Sequence, residues 1–282
     1  MTNASTNRVG TPEARPSILG IWRIGESIHE SSSAELSLAQ PADAAGSPRW
    51  DYVIKRAVDG PDQLEGRRQI LQFIASAAGV VHPNLVPVLD ASTTASLPYL
   101  VMPRLEGQSM KHHLEVHIRK PLPVALWLVR QVAQALDALH NAGWVHGDVK
   151  PENAMVGPRG HVTLVDLGFA ARIHTLPSHH YRGTPAYSAP EALSGEMASM
   201  PAMDIFSLGR VLWQWLTRTE QVHQGLLEPV AELVESMVAN NPEERPTADR
   251  VVKQLLRLEI ETLGRHIGPT QPRRSNPLRR AA

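Results

Sequence analysis

The sequence predicts a mixed α+β chain, with strands gathered in its first third and helices filling the rest. Three observations carry this. Short runs rich in β-branched and aromatic residues, at 18–25, 34–39, 50–57 and 99–102, alternate with turn-forming stretches. A long amphipathic stretch at 123–141 opens a helical second part. A dense polar cluster at 145–153 follows it, flanked by short apolar runs, and is too polar to be a packed element itself.

Composition narrows the class. The chain has 282 residues, enough for one large domain or a two-lobed one with a sizeable core. Lys plus Arg equals Asp plus Glu, 28 each, so no overall charge points to nucleic acid, and none is expected as a partner. Cysteine is absent, which excludes a disulfide framework and fits a reducing compartment. The longest apolar run, 124–129, is far short of the roughly 20 residues a membrane span needs. The polar N-terminus carries no signal-peptide core. A soluble, cytoplasmic protein is expected.

The elements follow in order. Residues 1–17, rich in Ser, Thr, Asn and Pro, are expected to be disordered. A first strand at 18–25 and a second at 34–39 leave Glu26, Ser27, Ile28, His29, Glu30 and three serines as a long loop. A Pro/Ala/Gly loop at 40–47 leads to a third strand at 50–57. Residues 61–78 have helical spacing, with Leu64, Ile70, Leu71, Ile74 and Ala78 on one face and Pro61-Asp62 as a start. Short strands are expected at 85–89 and 99–102, and a short helix at 109–116. The helix at 123–141 lines one face with Ala125, Leu128, Val129, Val132, Leu136 and Leu139; Pro123 suits its first turn and Gly143 its end. Residues 154–156 and 162–165 flank the turn 157–160 as a hairpin. Residues 208–216 are apolar nearly all round, as a core helix should be, and 226–239 is the next helix. From Thr262 onward the chain has no acidic residue and five arginines, read as a solvated tail.

The polar cluster carries chemistry. Asp148 can accept a proton from a hydroxyl, Lys150 can neutralise charge on a phosphoryl group, and Asn153 offers a neutral oxygen to a metal ion. Asp166-Leu167-Gly168 adds a second carboxylate followed by a flexible residue.

Together, His146-Gly147-Asp148-Val149-Lys150-Pro151-Glu152-Asn153 and Asp166-Leu167-Gly168 resemble the HRDxKxxN and DFG motifs of eukaryotic-type (Hanks-type) serine/threonine protein kinases. Further motifs join them in the family's order. Tyr52-Val53-Ile54-Lys55 resembles VAIK, and the run 98–107 resembles the kinase hinge. The run 183–191 resembles GTxxYxAPE, Asp204 to Gly209 the start of the central helix, and Asn241 to Thr247 the NPxxRP stretch. The resemblance covers about residues 18–262. It implies a bilobal protein-kinase-like fold, with a small β-rich lobe at about 18–104 holding one main helix. A larger helical lobe follows at about 107–262, with a basic tail at 263–282.

The same resemblance implies roles. Asp148 and Lys150 would be catalytic, Lys150 contacting the γ-phosphate at a spacing typical of serine/threonine kinases. Asn153 and Asp166 would hold Mg²⁺, with Mn²⁺ as the other possible ion. Lys55 would hold the α- and β-phosphates of ATP. Gly25 would be the surviving residue of the glycine-rich loop. Met102 would be the gatekeeper, and Pro103 and Leu105 would meet the adenine edge through a carbonyl and an N–H respectively. Met155 would lie under the adenine, with ordinary core packing as the alternative. Thr184 would bond near Asp148 and Lys150, His146 would pack rather than exchange protons, and Arg245 would pair with Glu191. The function implied is transfer of the γ-phosphate of ATP to a protein Ser or Thr hydroxyl.

Departures from the family pattern define the other readings. Only Gly25 remains of the glycine-rich loop. The helix carboxylate expected to meet Lys55 is open: the usual spacing lands on Phe73, one extra turn reaches Gln69, and Glu65, a further turn back, is the candidate. Gly147 replaces the arginine that would pair with a phosphorylated activation segment, so activity is expected not to need Thr175, Ser178 or Tyr181. Some twenty residues that usually follow the central helix and help dock protein substrates are missing. These departures support a pseudokinase, a nucleotide-binding or scaffolding module, as the alternative. A small-molecule phosphotransferase on a related fold is a third reading, opposed by the stretches 183–191 and 241–246.

Overall fold

The computed structural model of the chain describes residues 17–44, 46–94, 96–116, 118–176, 183–220 and 224–266. The expectations for residues 1–16 and 267–282, and for Ser178 and Tyr181, lie outside these residues. The chain divides into two compact units, one from Met1–Ile74 with Pro87–Arg104, the other from Ala75–Val86 with Leu105–Ala282.

The first unit holds a six-stranded antiparallel sheet in the order β1-β2-β3-β4-β6-β5. Its strands are β1 (Ile18–Leu19), β2 (Trp22–Glu30), β3 (Ala34–Pro41), β4 (Tyr52–Ala57), β5 (Asp90–Ser92) and β6 (Tyr99–Pro103). Alternation sets its core. Trp22, Ile24, Ala39, Ile54, Tyr99 and Val101 bury one face together. At the rim of this cluster, Trp22 Nε1 donates to Asp90 Oδ2 at 2.6 Å.

The long loop expected after Gly25 is instead strand. β2 pairs with β3 as far as Glu30↔Glu35, with irregular register on both sides of Ser27. Only Ser31, Ser32 and Ser33 form the turn. Ser31 closes it by donating its N–H to the Ala34 carbonyl at 2.9 Å and accepting the Ala34 N–H on Oγ at 3.1 Å. Pairing satisfies backbone groups that a loop would leave to water, which outweighs the polar side chains.

Helix α1 (Gln63–Ala77) follows β4, and its buried face differs from the expected one. Ile70 and Phe73 are buried, whereas Leu64 is 80% and Leu71 38% exposed. The stripe is rotated because Gly66 also faces inward: a Cβ there would collide with the Ser33 carbonyl of the β2–β3 turn. The strand expected at 85–89 is found one step later as β5; Leu89 only donates its N–H to the Val101 carbonyl at 2.8 Å.

The second unit is helical. Residues 75–86 join it because Asn84 Nδ2 donates to the Val162 carbonyl at 2.7 Å and the Leu164 N–H returns to the Asn84 carbonyl at 2.8 Å. α2 (Met110–Glu115) is capped by Ser109, whose side chain accepts from the His112 N–H. α3 (Leu122–Asn141) buries all six residues of its expected face, and Gly143, at φ +80°, ends it. A small sheet β10-β9-β7 comprises β7 (Gln108–Ser109), β9 (Ala154–Val156) and β10 (Val162–Leu164). β8 (Trp144–Val145) pairs with β11 (Ala171–Arg172), bracketing the polar cluster.

The remaining helices are α4 (Pro190–Ser194), α5 (Pro201–Leu216), α6 (Gln224–Met237) and α7 (Ala248–His266). α5 is apolar but not buried all round: Trp213 is 51% exposed. α5 ends at Leu216 and α6 begins at Gln224. α7 continues beyond the start expected for the tail. Thr262 is buried, its Oγ1 donating to the Leu258 carbonyl at 2.7 Å, and Glu259 ties the helix to Arg130 of α3 at 2.7 Å. Among the described residues, no helix is long and apolar enough to cross a membrane.

Candidate active site

The polar cluster runs between β8 and β9 and closes on itself. Asp148 is nearly buried, and its carboxylate gathers three donors. Thr184 Oγ1 donates to Oδ1 at 2.8 Å, Lys150 Nζ lies 2.6 Å from Oδ2, and Asn153 Nδ2 donates to Oδ2 at 3.0 Å. Lys150 Nζ also donates to Thr184 Oγ1 at 2.7 Å, so Asp148, Lys150 and Thr184 form a closed triangle. A carboxylate offers about four lone-pair positions, so one on Oδ1 remains to receive a further donor.

Both ring nitrogens of His146 meet backbone groups. Its Nδ1 accepts the Asp148 N–H at 3.2 Å, so that nitrogen is bare. Its Nε2 lies 3.2 Å from the Val165 carbonyl, to which it donates. Both nitrogens are spent on backbone, which makes His146 a scaffold residue.

Beneath the cluster lies a buried carboxylate that sequence reasoning left without a role. Asp204, near the start of α5, accepts the His146 N–H on Oδ2 at 2.7 Å and the Gly147 N–H on Oδ1 at 3.0 Å. His140 Nε2 lies 2.9 Å from Oδ2. Burial by itself would raise the Asp204 pKa; the His140 hydrogen bond and charge, the His146 charge and the Gly147 N–H outweigh it and hold the carboxyl below its ordinary value. The signal was present as an acidic residue opening an otherwise apolar core helix.

Gly147 explains itself through backbone. Its φ is +80°, and a Cβ there would lie 2.6 Å from the Phe169 carbonyl. An arginine at this position would be strained as well as crowded.

Two oxygen donors suit a divalent cation. Asn153 commits Nδ2 to the Asp148 side chain and carbonyl, which leaves Oδ1 as its acceptor. Asp166 is left-handed at φ 64°, with Oδ1 accepting the Gly168 N–H at 3.3 Å. The Val165 N–H bonds the Asn153 carbonyl at 2.8 Å, which ties the two donor segments together. A neutral and an anionic oxygen fit a hard cation that completes its shell with water and phosphate. Among the described residues there is no group of three or more His, Asp or Glu that would hold a metal unaided.

The segment after Asp166 is anchored at its far end. Glu191 and Arg245 are both buried and meet in a two-pronged pair at 2.6 and 2.9 Å. Arg245 also stands over the Phe206 ring at 5.0 Å and donates to the Ala239 and Ala202 carbonyls. Between the anchor and the cluster, Thr184 supplies the link.

The other expected residues fall in two groups. In the second unit, Leu105 and Met155 line one cleft of about 520 Å³, together with Thr163. In the first unit, Lys55 and Met102 are nearly buried on β4 and β6, and Pro103 pairs with Tyr52. Lys55 Nζ stands over the Phe73 ring. The Glu65 carboxylate receives a two-pronged contact from Arg68 at 2.6 and 2.8 Å and the Gln69 amide at 3.1 Å. Gly25 lies beneath the indole of Trp50.

Comparison with known proteins accounts for this arrangement. The family model of the protein kinase domain matches residues 49–226. A probable serine/threonine-protein kinase, pknA2 of Bifidobacterium longum, is 30% identical over 203 residues, covering 71% of this chain and 27% of that protein. The serine/threonine-protein kinase PkaA of Streptomyces coelicolor is 29% identical over 280 residues, covering 89% of this chain and 49% of that protein. The chain thus spans between about a quarter and a half of the length of these relatives. The match takes in Lys55, the polar cluster, Asp166 and Glu191 in one continuous stretch, and the chain belongs to the protein kinase family.

Proposed function

We propose that the chain is a serine/threonine protein kinase that transfers the γ-phosphate of ATP to a protein hydroxyl. The observation that carries this is the Asp148–Lys150–Thr184 triangle with Asn153 attached. In this reading the substrate hydroxyl donates to the open position on Asp148 Oδ1. Its oxygen attacks the γ-phosphorus, the bond to the bridging oxygen of ADP breaks, and the hydroxyl proton passes to Asp148. Lys150 moves its charge from Asp148 towards the γ-phosphoryl oxygens as they gain charge. Asn153 and Asp166 hold Mg²⁺, or Mn²⁺ in its place, which when bound neutralises the phosphates. Lys55 holds the α- and β-phosphates, and Glu65 is proposed as the helix carboxylate that steadies it. Met102, Pro103, Leu105 and Met155 receive the adenine. The Lys-bearing loop supports Ser or Thr as the acceptor, and the missing cysteines fit a cytoplasmic setting.

A second reading, a pseudokinase, is favoured by one observation: the Phe73 ring stands where the family spacing calls for a carboxylate beside Lys55. The test is transfer of labelled γ-phosphate from Mg·ATP to a generic protein substrate, with ATP binding measured in parallel. Transfer by wild type, reduced at least about 100-fold in Asp148→Asn and Asp166→Ala, upholds the first reading. Binding without transfer in wild type upholds the second.

A further inference from the structure

The sheet of the first unit has two distinguishable faces. One carries the buried cluster that includes Ile24, Ala39 and Ile54. Alternation turns Val53 and Lys55 to the other face, and the cross-strand partners of Val53, Leu38 and Met102, share it. Gly25 follows Ile24, ahead of the register shift, so alternation presents its α-carbon to this second face.

What lies against Gly25 is an aromatic ring. A Cβ at this position would come within 2.7, 2.8 and 2.9 Å of Cζ3, Cη2 and Cε3 of Trp50. Three carbons of one six-membered ring at nearly equal distance mean that the indole lies across the glycine, and only glycine leaves it room. Trp50 is half-buried, so part of the residue remains accessible. Its root is fixed by the next residue: the Asp51 carbonyl accepts the Arg104 N–H at 2.8 Å, directly after Pro103.

We infer that the indole of Trp50 is the surface on which the nucleotide base stacks. The inference rests on the proposed function, which puts the adenine beside Met102 on this face. A glycine at 25 cannot cover a base, and the segment before β4 supplies the cover instead. A flat apolar ring suits a purine, and stacking does not depend on the base's hydrogen-bonding edge. Trp50 thereby contributes affinity for the base and is indifferent to the phosphates.

The experiment measures binding of ATP, ADP and inorganic triphosphate to the full chain by calorimetry. The variants are Trp50→Ala, Trp50→Phe and Gly25→Val, the last of which displaces the ring without removing it. Trp50→Ala and Gly25→Val are expected to weaken ATP and ADP about tenfold, and Trp50→Phe no more than about threefold. Triphosphate affinity stays unchanged in both Trp50 variants. Nucleotide-induced quenching of tryptophan fluorescence is expected in wild type and lost in Trp50→Phe, a conservative change that reports even if Trp50→Ala fails to fold. Equal or tighter ATP binding by Trp50→Ala overturns the inference, because the indole would then be bystander or obstruction. If neither wild type nor any variant binds ATP, the proposed function itself fails and the inference falls with it.

Discussion

The ammonium of Lys55 stands over the ring of Phe73, 5.7 Å from its centroid. An ammonium at that distance is attracted to the negative face of the ring. Phe73 is fully buried, so its surroundings hold the ring in place. The ring therefore helps to aim the lysine. Phe73→Leu keeps an apolar side chain of similar bulk and removes the ring face. It is expected to weaken ATP binding about fivefold, from roughly 1 kcal/mol of lost attraction, with little change in melting temperature. Unchanged affinity in titration calorimetry would show that the ring is only core.

Asp204 holds the backbone of the polar cluster from below, so its removal reaches both stability and chemistry. Asp204→Asn weakens a charged acceptor of two backbone N–H groups and is expected to cost about 2 kcal/mol or more in denaturant unfolding. The pH dependence has a definite sign. The folded carboxyl has a pKa below its ordinary 3.8, so the unfolded chain binds the proton more readily. The stabilisation is complete above about pH 4 and is lost as pH falls through the lower folded value. Unfolding midpoints from pH 7 to pH 2 should fall more steeply in wild type than in Asp204→Asn below about pH 4. Parallel curves there would refute this.

Gly147 is the cluster's departure from the family pattern, and restoring an arginine should not help. The positive φ alone costs a non-glycine residue about 1–2 kcal/mol, and the Phe169 carbonyl stands in the way of its Cβ. Gly147→Ala and Gly147→Arg are both expected to lower the melting temperature by several degrees. With no arginine to receive a phosphate, replacing Thr175, Ser178 and Tyr181 together by alanine should leave transfer activity intact. Abolished activity in that triple variant would contradict the assignment.

The Glu191–Arg245 pair should behave as a unit. Removing one partner strands a buried charge, so Arg245→Leu or Glu191→Leu alone is expected to cost about 3–5 kcal/mol. The double variant should cost clearly less than the sum of the two singles. Additive losses in a double-mutant cycle would mean that each residue acts through other contacts, such as the carbonyls around Arg245.

Much of the molecule was readable from residue order. The face of α3 follows from its spacing because a helix buried along one side leaves no other place for Leu128, Val132 or Leu136. The chemistry of Asp148, Lys150 and Asn153 is local: within five positions, short-range geometry brings the groups together. Thr184 and Arg245 were placed through resemblance to the family.

What depends on distant contacts was not readable. The run 26–30 is polar and looks like loop, yet it is strand because β3 supplies partners for its backbone. The buried stripe of α1 could not be set from its own periodicity, since a turn more than thirty residues earlier decides that Gly66 faces inward. Sequence alone determined the class of element and the inventory of reactive groups, because propensity and side-chain chemistry are properties of neighbouring residues. Only the tertiary structure decided which ring lies on Gly25, which ring faces Lys55 and which carboxylate carries the loop at 146–147. Those choices are made by packing between residues far apart in the chain, where steric exclusion and burial leave one arrangement open.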